Sequence, residues 1–358
     1  LAIRTHPRRQ DSAQGESTAR RALVTTLVVV SVVVSALALW KLKVVIALLF
    51  LAATIAAAMR PSVEWLAARR VPRWLGVVLH YLVLLGLLAL FLSFVVPELV
   101  TQVENALTAT RGPHGGGVKG QILNAIQKRL RHLPSGESLL HPALSIGETA
   151  FEVLIGIVFT FAAAAYWLFE RDRAVDFVAS LIARPKRKKL RDTWYLIDMK
   201  LGAFVRGQLL LIGLVSSVAS LGFWIVGEPY FLLVGIAVGL LELVPVVGPL
   251  VAIALAAGAG LTASWHVAAY AAATLLVIRL LEDYLVTPRV LGGVVGLSPL
   301  IVLVSVSATG ILLGAFYVLI AIPITSVGVT LIDVLVRDID PAEAEIPTVL
   351  FPAKETEP

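Results

Sequence analysis

The strongest constraint on this chain is a series of apolar runs, each near the length that crosses a lipid bilayer. A helix needs about 20 apolar residues to span the hydrocarbon core, within a range of roughly 17–25. Residues Ala22–Trp40, Val44–Met59, Leu75–Val96, Thr149–Phe169 and Leu209–Val226 meet or approach that length. Two longer stretches follow, with a shorter run, His266–Leu281, between them. Phe231–Ala263 is broken by Pro245, Gly248 and Pro249, and Ser298–Leu335 is interrupted near Gly310, Gly314 and Pro323. Proline inside a helix removes a hydrogen bond and clashes with the preceding turn. Lipid offers no partner for a freed backbone group, so broken backbone at that depth must be buried in protein or face a cavity. The pattern predicts an all-α polytopic membrane protein of about eight transmembrane spans with broken or re-entrant helical hairpins. If the Pro245 region crosses twice, the number is ten.

Composition excludes the main competing classes. Of the 358 residues, 58% are hydrophobic and 15% are charged. Soluble domains are nearer 45–50% apolar and about 25% charged. The net charge of +6 could suggest nucleic acid. The basic residues, however, cluster in short loops between the apolar runs, which marks topology and argues against a nucleic-acid footprint. No cysteine is present, so disulfides, thiolate metal sites and cysteine nucleophiles are excluded.

Those loops orient the chain. Lys and Arg favour the cytoplasmic side. The tail 1–21, Arg60–Trp74 and Glu170–Gln208 carry 19 of them, against 7 in 41–43 and Pro97–Glu148. Both termini are therefore expected in the cytoplasm. The layout is a cytoplasmic tail (1–21), three spans (22–96), an extracytoplasmic segment (97–148), a fourth span (149–169), a cytoplasmic amphipathic helical hairpin (170–208), a C-terminal transport bundle (209–336) and a tail (337–358). Within 97–148, Ile122, Leu123, Ile126, Leu130 and Leu133 make one apolar helical face. In the 170–208 hairpin, Arg184-Pro185 separates two apolar faces, and Lys186–Lys189 are four consecutive bases suited to anionic lipid.

Motifs for soluble chemistry fail on inspection. Gly112–Lys119 superficially suggests a phosphate loop, but its lysine is misplaced and Gly120 stands where Ser or Thr belongs. Gly258-x-Gly260-x-x-Ala263 lies inside a membrane-length apolar run, where small residues serve helix packing. The six histidines have no metalloprotease spacing. The sequence offers no catalytic constellation, no metal site and no cofactor.

Ionisable residues inside apolar runs remain. A charge at the bilayer centre costs about 2.5–3.5 kcal/mol on insertion scales, so it needs a partner or a cavity. Glu242 stands beside the break made by Pro245, Gly248 and Pro249. Such a break frees carbonyls and amides that can coordinate an ion or polar solute. Arg279 lies three residues before Glu282 and four before Asp283, so either acid can pair with it on a helix. Pro288, Arg289, Gly292 and Pro299 form a hinge or loop segment after that cluster. Gly235/Gly239 and Gly310/Gly314 permit close helix approach.

These same residues resemble a known family. Phe204-Val-Arg-Gly-Gln208, Glu242-x-x-Pro-x-x-Gly-Pro249, Pro288-Arg-Val-Leu-Gly292 and Val295-Gly-Leu-Ser-Pro299 are similar in order and spacing to the AI-2E transporters, the autoinducer-2 exporter-like permeases. The resemblance implies a multi-pass protein of a bacterial cytoplasmic membrane, and a homo-oligomer. It implies export of an autoinducer-2-like signal, sodium/proton antiport, or an envelope or division role. The expectation is a secondary transporter in which Glu242 supplies charge, Pro245 and Pro249 the break, and Gly248 the room for close approach. Arg279, Glu282 and Asp283 would balance charge during movement of a small polar solute or cation. A non-transporting scaffold that recruits a partner through 170–208 is the alternative.

Overall fold

The computed structural model describes residues 10–111, 140–244, 247–286 and 297–344. The chain is an all-α polytopic membrane protein. Among the described residues it has ten α-helices, one π-helical turn and no strand. The helices are α1 (Gln10–Lys41), α2 (Lys43–Ala68), α3 (Arg73–Arg111), α4 (Leu140–Ser180), α5 (Arg184–Ile225), α6 (Phe231–Leu241), α7 (Val247–Gly260), α8 (Trp265–Leu281), α9 (Pro299–Leu313) and α10 (Ala315–Leu335). The π turn covers Glu282–Val286.

Among the described residues, six helical segments are long and apolar enough to cross a membrane: Leu23–Lys41, Lys43–Ala68, Arg73–Pro97, Phe151–Ser180, Arg184–Ile225 and Ala315–Leu335. Helices α6, α7 and α9 are apolar but short. At 1.5 Å per residue, their 11, 14 and 15 residues reach about 16, 21 and 22 Å, below the roughly 30 Å of a hydrocarbon core. Each is paired with a neighbour, α6 with α7 and α9 with α10, as broken hairpins require. The second hairpin turns at Gly314, whose φ of 108° favours glycine. Pro323 sits buried inside α10 without ending it.

The turn at Leu181–Ala183 joins two very long helices. With 41 and 42 residues, α4 and α5 run about 62 Å each. The amphipathic arms expected at 170–208 are thus unbroken extensions of the flanking spans. Pro185 opens α5 at its first turn, where a missing N–H costs nothing. The Arg187 guanidinium donates to the carbonyls of Ile182 (3.0 Å) and Ser180 (3.2 Å), covering acceptors left open where α4 ends. The expected amphipathic helix around Ile122–Leu133 and the glycine-rich Gly112–Gly120 lie outside the described residues.

Two compact units divide within α2, between Leu49 and Phe50. The first unit presents an almost wholly exposed apolar surface from Leu23 to Ile46. In the second, α5 is the hub and packs on α4, α6, α8 and α10. Its core face (Leu211, Val215, Ala219, Phe223) meets Val234 and Val238 of α6, Ala252 and Ala256 of α7, and Leu275 of α8. Small residues set that spacing. A Cβ on Gly235 would come within 2.7 Å of the Ser220 Cα, and one on Gly239 within 2.8 Å of the Ile212 carbonyl oxygen. The Gly235/Gly239 stripe therefore faces α5, the partner its spacing alone could not identify.

Candidate functional site

The half-helix α6 is the element on which the site is built. Any helix leaves four amides and four carbonyls without intrahelical partners, and in a helix of 11 residues those open groups are more than a third of the backbone donors and acceptors. Two glutamines from neighbouring helices answer them. Gln102 Oε1 of α3 accepts from the Leu233 amide (3.2 Å) in the first turn of α6. Gln208 Nε2 of α5 donates to the Glu242 carbonyl (3.0 Å) just past its last turn. Glu242 is the C-cap residue of α6, and α7 begins five residues later at Val247.

Gly248 brings the two half-helices together. A Cβ there would lie within 2.8 Å of the Leu241 carbonyl carbon. Pro249 falls in the first turn of α7, where proline's missing donor is tolerated. Pro245 lies outside the described residues.

The Glu242 side chain is 8% exposed and faces Arg279. Arg279 Nη1 lies 3.3 Å from Glu242 Oε2 and 3.1 Å from Glu282 Oε2, and Nη2 lies 3.2 Å from Asp283 Oδ1. One guanidinium thus serves three carboxylates. Two of these acids open the π turn that continues α8, three and four residues after Arg279. Single-turn π segments are frequent at functional sites. A cleft including Glu242, Arg279 and Glu282 is otherwise apolar, lined by Val215, Val238, Pro249, Ala252, Leu275 and Ile278.

Of the sequence-derived candidates, the structure brings together Glu242, Gly248, Pro249, Arg279, Glu282 and Asp283. Pro299 stands apart as the first residue of α9, behind the N-cap Ser298, whose hydroxyl accepts from Ile301 N at 3.4 Å. Pro288, Arg289 and Gly292 lie outside the described residues.

Three arrangements were not visible in the sequence. Pro61 sits inside α2 and, lacking an N–H, leaves the Ala57 carbonyl without its helical donor. Helix α5 docks on that spot. Gly202 has its missing Cβ position within 2.8 Å of the Ala57 carbonyl carbon, and Arg206 Nη1 donates to the Ala58 carbonyl at 3.1 Å. Arg206 and Gln208, from the Phe204–Gln208 motif, thereby hold α2 and α6 to opposite parts of α5.

The second arrangement is an ion-pair web. The buried Asp198 of α5 accepts from Arg171 of α4 (2.7 Å) and Arg60 of α2 (3.4 Å). Asp172 lies 3.0 Å from Arg171, 3.9 Å from Arg60 and 3.7 Å from Arg73 of α3. The web ties four helices, α2, α3, α4 and α5. The third is Glu228, at the α5–α6 turn. A glycine before a Pro-flanked acid, Gly227-Glu228-Pro229, was the only trace of it in the sequence.

Comparison with known proteins gives a consistent result. The family model described as AI-2E family transporter matches residues 29–337. YrrI of Bacillus subtilis, named as a candidate transport protein, is 22% identical over 284 residues, 75% of this chain and 80% of its own. MT0215 of Mycobacterium tuberculosis, similarly named, is 27% identical over 300 residues, 79% of this chain and 81% of its own. A Synechocystis protein, sll0063, also named as a candidate transport protein, is 29% identical over 211 residues, covering 58% and 51%.

Proposed function

We propose a transport role for this chain from one premise: it belongs to the AI-2E transporter family. The protein is a secondary transporter of a bacterial cytoplasmic membrane, with both termini in the cytoplasm, and its cargo is a small polar solute or a cation. The finer possibilities are an autoinducer-2-like signal or sodium/proton exchange, in a homo-oligomeric assembly.

The observation that carries this reading is the Arg279 guanidinium shared by three carboxylates at the break between α6 and α7. Three acids against one base leave acceptor capacity and negative charge, the complement of a hydroxyl-rich or cationic cargo. Buried charges are tolerated only when paired, so cargo and Arg279 compete for the same oxygens. Cargo binding to Glu242 frees Arg279 toward Glu282 and Asp283, and cargo release restores the pairing. The short α6–α7 hairpin, in which Gln102 and Gln208 hold the two ends of α6, is the element that this exchange would move.

A flux panel of small polar solutes and monovalent cations, on purified protein in liposomes, tests the reading. Dissipation of at least one gradient above protein-free vesicles is expected. No flux for any member, with the protein folded and inserted, would favour the scaffold reading, in which the arms at 170–208 recruit a cytoplasmic partner.

A further inference from the structure

Helix α5 ends in a Schellman motif. Gly227, with φ of 78°, donates to the Trp224 carbonyl (3.1 Å), and the next amide, Glu228, donates to the Phe223 carbonyl (2.9 Å). In this motif the residue after the glycine is commonly apolar and packs back on the helix. Here it is a glutamate, and it follows the same inward path. Glu228 is 2% exposed, and Phe223 beside it is fully buried.

Neither carboxyl oxygen of Glu228 has a hydrogen-bond partner. The α7–α8 turn closes over it. A Cβ on Gly260 would come within 2.9 Å of Glu228 Oε2, and within 2.6 Å of the Ala268 Cα. No side chain can enter there while the turn keeps that packing. An ionised carboxylate so enclosed, without partners, is far costlier than the neutral acid.

Among the described residues, no charged group offsets the cost. The last turns of α5, and α6 and α7, carry no acidic or basic side chain, Tyr230 being the titratable group at the start of α6. From α8, His266 and Tyr270 are exposed, and Arg279 is committed to Glu242, Glu282 and Asp283. From α3, the described polar side chains at this end, Thr101 and Gln102, are uncharged, and Gln102 is bonded to Leu233. A hard cation needs about six oxygens, and among the described residues no polar group lies within hydrogen-bond distance of the Glu228 carboxyl. A proton needs only the carboxylate.

We propose that Glu228 is a proton-binding site, neutral while the Gly260–Ala268 turn is packed on it and ionised only when that turn opens. The site stands apart from the Arg279 cluster, across the length of α6, about 16 Å, and does not depend on what that cluster binds. Linkage fixes the sign. The packed state holds the proton, so raising the pH draws the equilibrium toward the open turn.

Two readouts on the full chain in detergent test this. Infrared difference spectra should show a protonated carboxyl carbonyl band at neutral pH that is lost in Glu228→Gln. Amide hydrogen exchange over 260–268, corrected for intrinsic rates, should quicken with rising pH in the wild type. It should stay slow in Glu228→Gln and keep its wild-type pH response in Glu242→Gln. A Glu228→Gln protein that retains the band and the pH response overturns the proposal. So does one that fails to fold, because glutamine is the isostere of the neutral acid.

Discussion

Arg206 shows how far a single side chain can be read. Its guanidinium lies beside carbonyls that Pro61 disturbs in another helix, so its meaning depends on two residues 145 positions apart in the chain. Gly202 belongs to the same contact. Its replacement by alanine would drive a methyl into the Ala57 carbonyl; overpacking of this kind costs about 1–3 kcal/mol. Gly213 lies on the same helix, exposed, with nothing within 4 Å of its missing Cβ. Gly213→Ala should be neutral, or stabilising by up to about 1 kcal/mol through helix propensity. Thermal melts of the two variants in one detergent should therefore move in opposite directions or differ clearly. Glu242 and Arg279 were legible from the sequence because charge inside an apolar run is conspicuous by itself. Gly202 and Arg206 were not, because a glycine's purpose is the atom it lets approach, and sequence does not say which atom. Glu228 was hidden because it stands beside a turn, where an acid ordinarily meets water.

At the scale of elements, helices that are short or interrupted by proline shape the site. In the α6 half-helix, Gln102 and Gln208 satisfy the Leu233 amide and the carbonyl of the C-cap Glu242. Gln208→Leu should leave the Glu242 carbonyl without its donor. A buried unsatisfied group costs about 1–3 kcal/mol, and the melting temperature should fall with no loss of helical signal. Unchanged melting would mean that water reaches the carbonyl and the cap is idle. Pro61 makes the opposite case. In an ordinary helix interior its replacement by alanine should gain about 3 kcal/mol. Here the new N–H at 61 would recapture the Ala57 carbonyl and draw α2 from α5. Pro61→Ala should therefore gain far less than that, or destabilise, and a full propensity-sized rise in melting would contradict the docking. The apolar runs and prolines placed most elements from sequence, because length and breakage are local properties. The second arm, Leu190 to Val205, was legible as running into the fifth span; the fusion of the fourth span with its arm was not visible, since amphipathic and wholly apolar stretches can share one unbroken helix.

At the scale of the molecule, the exposed surface is itself evidence. Leu221, Trp224, Ile225 and Leu250 are 56–69% exposed, on helices whose opposite faces form the core. Lipid is the solvent that such a surface requires. Beyond the last span, Lys189 at the basic turn donates to Asp338, holding the Asp338 carboxyl below the ordinary aspartate range. A depressed carboxylate contributes above its ordinary range and loses that contribution as pH falls through the depressed value. Hydrogen exchange over 337–344 should therefore rise on acidification, and Lys189→Ala should raise it already at neutral pH. An acid-insensitive segment would show the contact to be incidental. The family and the all-helical class were legible because both rest on order and spacing along the chain. The identity of the cargo was not, because it depends on how side chains from α6, α8 and the π turn converge.

The most direct test compares flux in liposomes carrying wild-type protein or Glu242→Gln, matched for insertion and for melting. Transport of a small polar solute or cation by the wild type is expected, with its loss or strong impairment when the carboxylate becomes an amide. Undiminished flux in Glu242→Gln would remove the Arg279-linked site from the mechanism.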